Sequence, residues 1–233
     1  MIIDCFVICW NEEVFLPYFL RHYAKFCHTL TVFDNESSDR SREICKDAGA
    51  KVITWATGGV QDNEAMLEIK NSCWKESDAD YVIVCDIDEI IVGLENLPPL
   101  CSGRIMKCHG IQMVGQGEPT EQIRRAFDYI QYDKCAVFSP EISDIGFKIG
   151  CHENTPSGYT EIVKNTCSLL HYSLPSEDSV VARWQLYSKR MGDSDRKKGY
   201  AWAYRLKESE IRRRYRQSLA KAKTLPENIL PSF

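Results

Sequence analysis

The chain has 233 residues, 44% of them hydrophobic, and a net charge of −4, which is enough to bury one large core with room for an appendage. No run approaches the roughly 18 apolar residues of a membrane-spanning helix, and Met1-Ile2-Ile3-Asp4 lacks the basic start of a secretory signal, so a soluble, unprocessed chain is expected. Eleven cysteines, an odd number with no Cys-x-x-Cys pair, argue against a disulfide framework and fit buried thiols in a reducing compartment, the cytoplasm.

The first half alternates short β-branched apolar runs with stretches of helical spacing, which predicts βαβ units and a mainly parallel sheet. Residues 2–8 read as a buried first strand. After Cys9-Trp10-Asn11-Glu12, residues 14–26 carry Val14, Leu16, Phe19, Leu20, Tyr23 and Phe26 at helical spacing. A second strand is expected over 29–33, ending in Asp34-Asn35. Ser37-Ser38-Asp39 then offers N-cap residues for a helix to Ala48, stopped by Gly49. A third strand over 51–54, a helix from Asp62 or Asn63 to about residue 76 and a fourth strand over 81–85 complete this rhythm.

Beyond Pro98-Pro99 the pattern weakens. Short strands are expected at 104–107, 135–138, 147–149 and 167–170, followed by a helix capped by Ser176 and running to Met191. Residues 192–198 read as a mobile loop and 208–223 as a polar, arginine-rich helix. Residues 189–223 hold thirteen Lys or Arg against four Asp or Glu, a local charge of +9 that leaves −13 elsewhere. Such a segment suits phosphates, an anionic membrane surface or an acidic partner, or is a solvated helix face.

The most informative cluster is Asp86-Ile87-Asp88-Glu89, where the apolar run Tyr81 to Cys85 ends. In extended geometry Asp86 and Asp88 project to the same side. Three acids in four positions repel one another, and a divalent cation relieves that repulsion. All-oxygen ligands favour Mg2+ or Mn2+ over zinc. The bland alternative is a solvated turn at the end of a strand.

Four stretches carry a resemblance: Cys5-Phe6-Val7-Ile8-Cys9-Trp10-Asn11-Glu12-Glu13, Phe19-Leu20-Arg21-His22-Tyr23, Val32 to Ser41 with Asp34-Asn35-Glu36-Ser37-Ser38-Asp39, and Val84-Cys85-Asp86-Ile87-Asp88-Glu89-Ile90-Ile91. They resemble family 2-like glycosyltransferases of the GT-A fold, densely over residues 3–92 and more loosely at 134–140, 150–152 and 169–172. The resemblance implies that Cys9, Trp10, Asn11 and Glu12 line a nucleotide pocket, that Asp34 and Asn35 contact base or ribose, and that Asp62, Asn63 and Lys70 face the donor. It further implies ribose and metal contact for Asp86 and Asp88 across Ile87. A later histidine often completes the metal shell in such enzymes, and His171 is placed for this, with His152 second.

Family 2 members usually carry a later acidic pair that deprotonates the acceptor hydroxyl. That pair has no clear counterpart here, and Glu153, Asp128 and Asp144 are the candidates for the base, Glu153 first. Arg183, Lys189, Arg190, Lys197 and Lys198 suit a basic lid over the diphosphate. Trp184 and Trp202 read as packing, and His22, His28 and His109 as structural.

The expectation is therefore a Mn2+- or Mg2+-dependent hexosyltransferase that moves a sugar from a nucleotide-sugar to a glycan or other hydroxyl acceptor. UDP-glucose is the first donor implied by family prevalence, and inversion the implied stereochemistry. The fold class is α/β: a GT-A-like, Rossmann-like, mainly parallel central sheet flanked by helices, with a C-terminal helical appendage. Residues 1–190 are expected to form the transferase domain, with a nucleotide-sugar half at 1–100 and an acceptor half at 101–190, and residues 191–233 a basic helical segment. Membrane contact, if any, is expected through that segment, with no transmembrane segment and no nucleic-acid partner, because the body is acidic. Rival readings are an inactive transferase serving as a carbohydrate- or nucleotide-binding module, and a nucleotidyltransferase. The second needs a Gly-rich basic loop where this chain has Cys9-Trp10-Asn11-Glu12-Glu13. A haloacid-dehalogenase-type phosphatase would place its Asp-x-Asp after the first strand, not the fourth.

Overall fold

A computed structural model describes residues 1–99 and 103–233. In chain order the elements are β1 (Ile3–Cys9), α1 (Leu16–Tyr23), β2 (Thr29–Asp34), α2 (Ser41–Asp47), β3 (Lys51–Thr54), α3 (Asn63–Ser72), β4 (Tyr81–Asp86) and β5 (Glu89–Val92). There follow β6 (Arg104–Val114), β7 (Arg125–Asp128), β8 (Lys134–Phe138), β9 (Glu161–Leu174), α4 (Glu177–Arg190), α5 (Asp193–Lys198), α6 (Glu208–Lys221) and β10 (Lys223–Thr224).

The strand order is β10-β7-β6-β8-β4-β1-β2-β3, with β9 pairing both β5 and β6 beside this path. β3, β2, β1 and β4 run parallel, while β8 joins β4 antiparallel and continues the sheet into β6, β7 and β10. Alternation along β1 sends Cys5, Val7 and Cys9 into one core with Leu16, Phe19 and Leu20 of α1 and Cys45 of α2. Phe6, from the same strand, faces the other side with Trp74 and Leu67 from the α3 region. Helices thus cover both faces, which is why strand-to-helix loops gather at the C-terminal ends of β1, β2 and β4. This is the α/β, Rossmann-like architecture expected from the sequence.

Local chemistry fixes several boundaries. The Asp62 carboxylate accepts from the backbone N–H of Glu64 and Ala65, both at 3.0 Å, and starts α3. Ser176 does the same for α4 through Ser179 N at 3.1 Å. Asp39 Oδ1, from the expected capping stretch, accepts from Ser41 N at 2.9 Å, and α2 begins at Ser41. α1 begins at Leu16, not at residue 14, because Val14 points into solvent at 78% exposure.

Other expectations change. The strand expected at 104–107 extends to Val114, and the one at 167–170 becomes the fourteen-residue β9. The buried residues of β9 lie between Cys167 and Tyr172, and the preceding stretch from Glu161 to Thr166 is largely exposed and shows no sustained apolar alternation. Residues 147–149 contribute an isolated bridge, Phe147 to Asn154, not a strand. Residues 193–198 form α5 where a mobile loop was expected. Its Asp195 is buried and accepts from the Asn63 side chain at 2.6 Å, fastening this turn to the start of α3.

The C-terminal residues pack on the body. Ile211 and Tyr215 of α6 share a core with Val180 and Val181 of α4, and β10 extends the sheet beside β7. Phe233 lies 5.5 Å from the Tyr18 ring and 6.1 Å from that of Tyr172. The described cysteines are free thiols, most of them buried. Among the described residues no helix is long and apolar enough to cross a membrane.

Candidate active site

A cavity of about 390 Å3 opens where β1, β2 and β4 end, and Trp10, Glu12, Asn35, Asp86, Ile87 and Asp88 line it. This is the edge of an open α/β sheet at which ligands bind. The opposite wall comes from α4, with Arg183, Trp184, Tyr187 and Arg190, and from Ala201, Ala203 and Tyr204 beyond it.

Asp86 and Asp88 sit side by side in sequence but in different electrostatic surroundings. The carboxylate of Asp86 accepts a hydrogen bond from Lys70 Nζ and lies 3.3 Å from Lys134 Nζ. Lys134 is fully buried and also meets Glu89 Oε2 at 2.6 Å, and Glu89 accepts from the backbone N–H of Asp86 at 2.8 Å. Burial pushes the Asp86 carboxyl up, but the ammonium groups of Lys134 and Lys70 outweigh it and hold the group well below the usual carboxylate range. Both oxygens of Asp86 are thus committed to lysines.

Asp88 faces a guanidinium and an imidazole. Arg183 Nη1 donates to its Oδ2 at 2.9 Å, and His171 Nε2 lies 3.6 Å from the same oxygen. Pairing of β5 with β9 sets Glu89 opposite His171, and Tyr172 N donates to Asp88 O at 2.7 Å, which brings His171 to this place from 83 residues away. Burial opposes ionisation of Asp88, yet the charges of Arg183 and then His171 hold its pKa low. Burial likewise disfavours the His171 imidazolium, and the Asp88 charge overrides it and raises the pKa.

α4 ties this floor to the loop after β1. Arg183 Nη2 donates to Glu12 Oε1 at 2.8 Å, and Tyr187 donates to the same oxygen at 2.7 Å. Burial raises the Glu12 pKa against the opposing charge of Arg183. One helical turn further on, the Arg190 guanidinium lies 3.9 Å from the centroid of the Trp10 ring and donates to Asn35 Oδ1. Gln61 N donates to Arg190 O at 2.8 Å, which straps the segment after β3 to the end of α4.

The structure therefore gathers Trp10, Glu12, Asn35, Asn63, Lys70, Asp86, Ile87, Asp88, His152, His171, Arg183 and Arg190 around one cavity. Four expected residues stand behind it. Cys9 is buried in the core, Asn11 caps the Ser37-Ser38 turn, Asp34 is buried under Ser37 N, and Asp62 caps α3. None of the three carboxylates considered as base lines it. Asp128 is paired with His109 at 3.0 Å, Asp144 lies 4.0 Å from Lys75, and Glu153 is exposed beside the cavity-lining His152.

Tyr132 packs against both later imidazoles, with ring centroids 4.9 Å from His152 and 4.3 Å from His171. Burial first, then the charges of Lys134 and His171, lower the His152 pKa to about 4, and its buried Nδ1 has no hydrogen-bond partner among the described residues. Asp88 and His171 offer an oxygen and an imidazole nitrogen of the kinds Mn2+ accepts. Among the described residues no group of three or more His, Cys, Asp or Glu side chains is arranged to hold a metal ion. Sequence reasoning missed Gln61, Tyr132, Tyr187 and Tyr204, and favoured packing over sugar stacking for Trp184, which lines the cavity. No local pattern marks them, except that Tyr187 follows Arg183 at the i,i+4 spacing of one helix face.

The fold and site define an α/β protein with a charged cleft at the strand ends. No family model matches the chain, and no curated protein matches its sequence. Among solved structures, glucosyl-3-phosphoglycerate synthase from Mycobacterium tuberculosis, in complex with Mn2+, UDP and glucosyl-3-phosphoglycerate, is 20% identical, covers 47% of this chain and 44% of its own, and has a TM-score of 0.35. The same enzyme with Mg2+ and UDP gives 19% identity, 47% and 43% coverage and 0.35, and a mycobacterial protein 19%, 48% and 41%, and 0.35. The chain spans less than half the length of these structures. Likeness of this extent assigns no ligand or activity to the chain.

Proposed function

We propose that this chain is a glycosyltransferase that binds a nucleotide-sugar in the 390 Å3 cavity and transfers the sugar to a hydroxyl acceptor. The observation that carries the reading is the convergence of Asp86, Asp88, His171 and Arg183 at the C-terminal end of a parallel strand. Residues 1–190 would act as the transferase domain, and 191–233 as a segment supplying one wall through Ala201, Ala203 and Tyr204. The cytoplasm, where the free thiols stay reduced, is the proposed location.

In this reading Asn35, Gln61 and Arg190 face the nucleoside, with Trp10 as an aromatic wall. Arg183 orients Asp88 and offers positive charge to the diphosphate. Asp88 and His171 would hold Mn2+ or Mg2+, which supplies charge stabilisation at the leaving diphosphate. The acceptor oxygen attacks the anomeric carbon, the bond from that carbon to the diphosphate breaks, the proton passes to a carboxylate, and configuration inverts. Glu153, next to cavity-lining His152, is the first carboxylate to test as base, ahead of Asp128 and Asp144. UDP-glucose is the first donor to try, and a glycan or other hydroxyl compound the acceptor.

The second reading, a nucleotide- or carbohydrate-binding module without turnover, is favoured by one observation: Glu12, Asp86 and Asp88 are the carboxylates that line the cavity, and each is already paired with a cation. Thermal-shift measurements with nucleoside diphosphates and nucleotide-sugars, with Mn2+, Mg2+ or chelator, separate the readings from no binding at all. A ligand at about 100 times its dissociation constant adds about 2.7 kcal/mol. Stabilisation by one nucleotide series that requires metal and disappears in Asp88→Ala supports the donor site, and sugar release from the donor separates enzyme from module. No shift with any nucleotide would defeat the proposal.

A further inference from the structure

Two groups of cations stand apart in the C-terminal region. Arg212 meets Asp178 and Glu208, each at 2.8 Å, Arg213 and Arg214 meet Glu210 at 2.6 and 2.8 Å, Arg216 meets Glu177 at 2.9 Å, and Lys198 meets Glu64 at 2.6 Å. These charges are neutralised within the fold. Lys189, Arg196 and Arg205 form no ion pair with a carboxylate among the described residues, and all three line a second cavity of about 340 Å3 on the far side of Tyr204. No Asp or Glu lines that cavity.

Two of these cations are fixed by main-chain oxygens. Arg196 donates to Ser188 O and, through Nε, to Met191 O at 3.3 Å, while Arg205 Nη1 donates to Arg196 O at 3.4 Å. Carbonyl acceptors orient a guanidinium without cancelling its charge. Glu208 accepts from Gln185 Nε2 of the lining at 3.5 Å, and it is committed to Arg212. Three like charges around one cavity repel, and a multiply charged oxyanion relieves that repulsion with charge-assisted hydrogen bonds. Tyr204 is common to both cavities, and its ring lies 5.1 Å from that of Tyr187, so the second cavity adjoins the cleft.

We propose that Lys189, Arg196 and Arg205 form a second binding site, for a phosphate-type oxyanion: inorganic phosphate or the phosphoryl end of a small phosphomonoester. The site stands on residues outside the carboxylate cluster and does not depend on the transferase reading.

Titration calorimetry of the whole chain with inorganic phosphate and with methyl phosphate tests it. Saturable binding is expected, weakened about tenfold or more in Lys189→Gln and in Arg205→Gln, each of which removes a charge-assisted contact from an exposed position. Arg183→Gln, which removes a cation from the other cavity, should leave that affinity unchanged. The tighter of the two ligands identifies the source, free phosphate or phosphomonoester. Absence of saturable binding to the wild type overturns the proposal, as does affinity equal to the wild type's in both charge-removing variants. Loss of binding in Arg183→Gln alone would assign the phosphate to the main cleft and overturn it equally.

Discussion

The floor of the cleft and the surface of α6 are both built from ion pairs, yet the two obey different physics. At the cleft, Lys134 is fully buried and Glu89 nearly so, and their charges have no water to screen them. On α6, Arg213 and Arg214 reach Glu210 from exposed positions. Pair distances overlap, 2.6 Å for Lys134 to Glu89 and 2.6 Å for Arg213 to Glu210, so distance does not rank them. Desolvation does, because removing one partner of a buried pair strands a charge that the solvent no longer reaches.

The sharpest way to break the comparison is Lys134→Met. It leaves Glu89 buried and Asp86 with Lys70 alone, and the expected loss is about 3–5 kcal/mol in urea unfolding. Lys134→Met with Glu89→Gln should recover part of that loss, since the stranded charge is then gone. A double variant no better than the single one would show that the lysine stem, not the charge, is what matters.

Arg183→Lys keeps the positive charge and removes the fork. An ammonium cannot reproduce both the contact to Asp88 at 2.9 Å and that to Glu12 at 2.8 Å, so a loss of about 1.5–3 kcal/mol is expected from one missing charged hydrogen bond. Unchanged stability would mean that Tyr187 alone suffices to hold Glu12.

The pH dependence separates the carboxylates from the buried imidazoles. Asp86 and Asp88 have folded pKa values held below their unfolded ones, so their stabilisation is present above the unfolded value of about 3.9 and declines only as pH falls below it. His22, which meets Ile91 O at 2.8 Å, has its pKa lowered by burial to about 4. The unfolded chain therefore binds its proton first, and stability falls as pH drops from about 6.5 towards 4. On the order of 2–3 kcal/mol should be lost over that interval, and His22→Gln should flatten the slope there.

The same contrast explains what the sequence disclosed. The run from Tyr81 to Cys85 into Asp86 and Asp88 is local, as are the Asp62 and Ser176 caps, and all three appear where expected. Lys134 opens a strand like any surface lysine, and only a partner 45 residues earlier gives it a buried place. β9 reached fourteen residues because β5 and β6 pair with it, and its flanks carry no apolar period of their own. Tyr204 lies in a segment without periodicity, and its place in the wall follows from packing against Trp184 and Tyr187. Asp128, at the end of β7, and Asp144 and Glu153, outside the named strands, could be named as acids but not aimed, since nothing in a sequence says which way such an exposed side chain turns.

The smallest effect belongs to α6. The Arg213 and Arg214 contacts lower the Glu210 pKa to about 2, a shift that reports proximity in the folded chain. Converting that proximity into stability requires the pair to outweigh the entropy of fixing long side chains in water, where salt screens it. Arg213→Ala should therefore leave the urea midpoint unchanged at physiological salt, with Arg214 still beside Glu210. Raising the salt concentration should change neither protein's midpoint relative to the other. A midpoint drop for Arg213→Ala comparable with that of Arg183→Lys would mean that α6 depends on its charges as the cleft does, and the division between the two regions would fall.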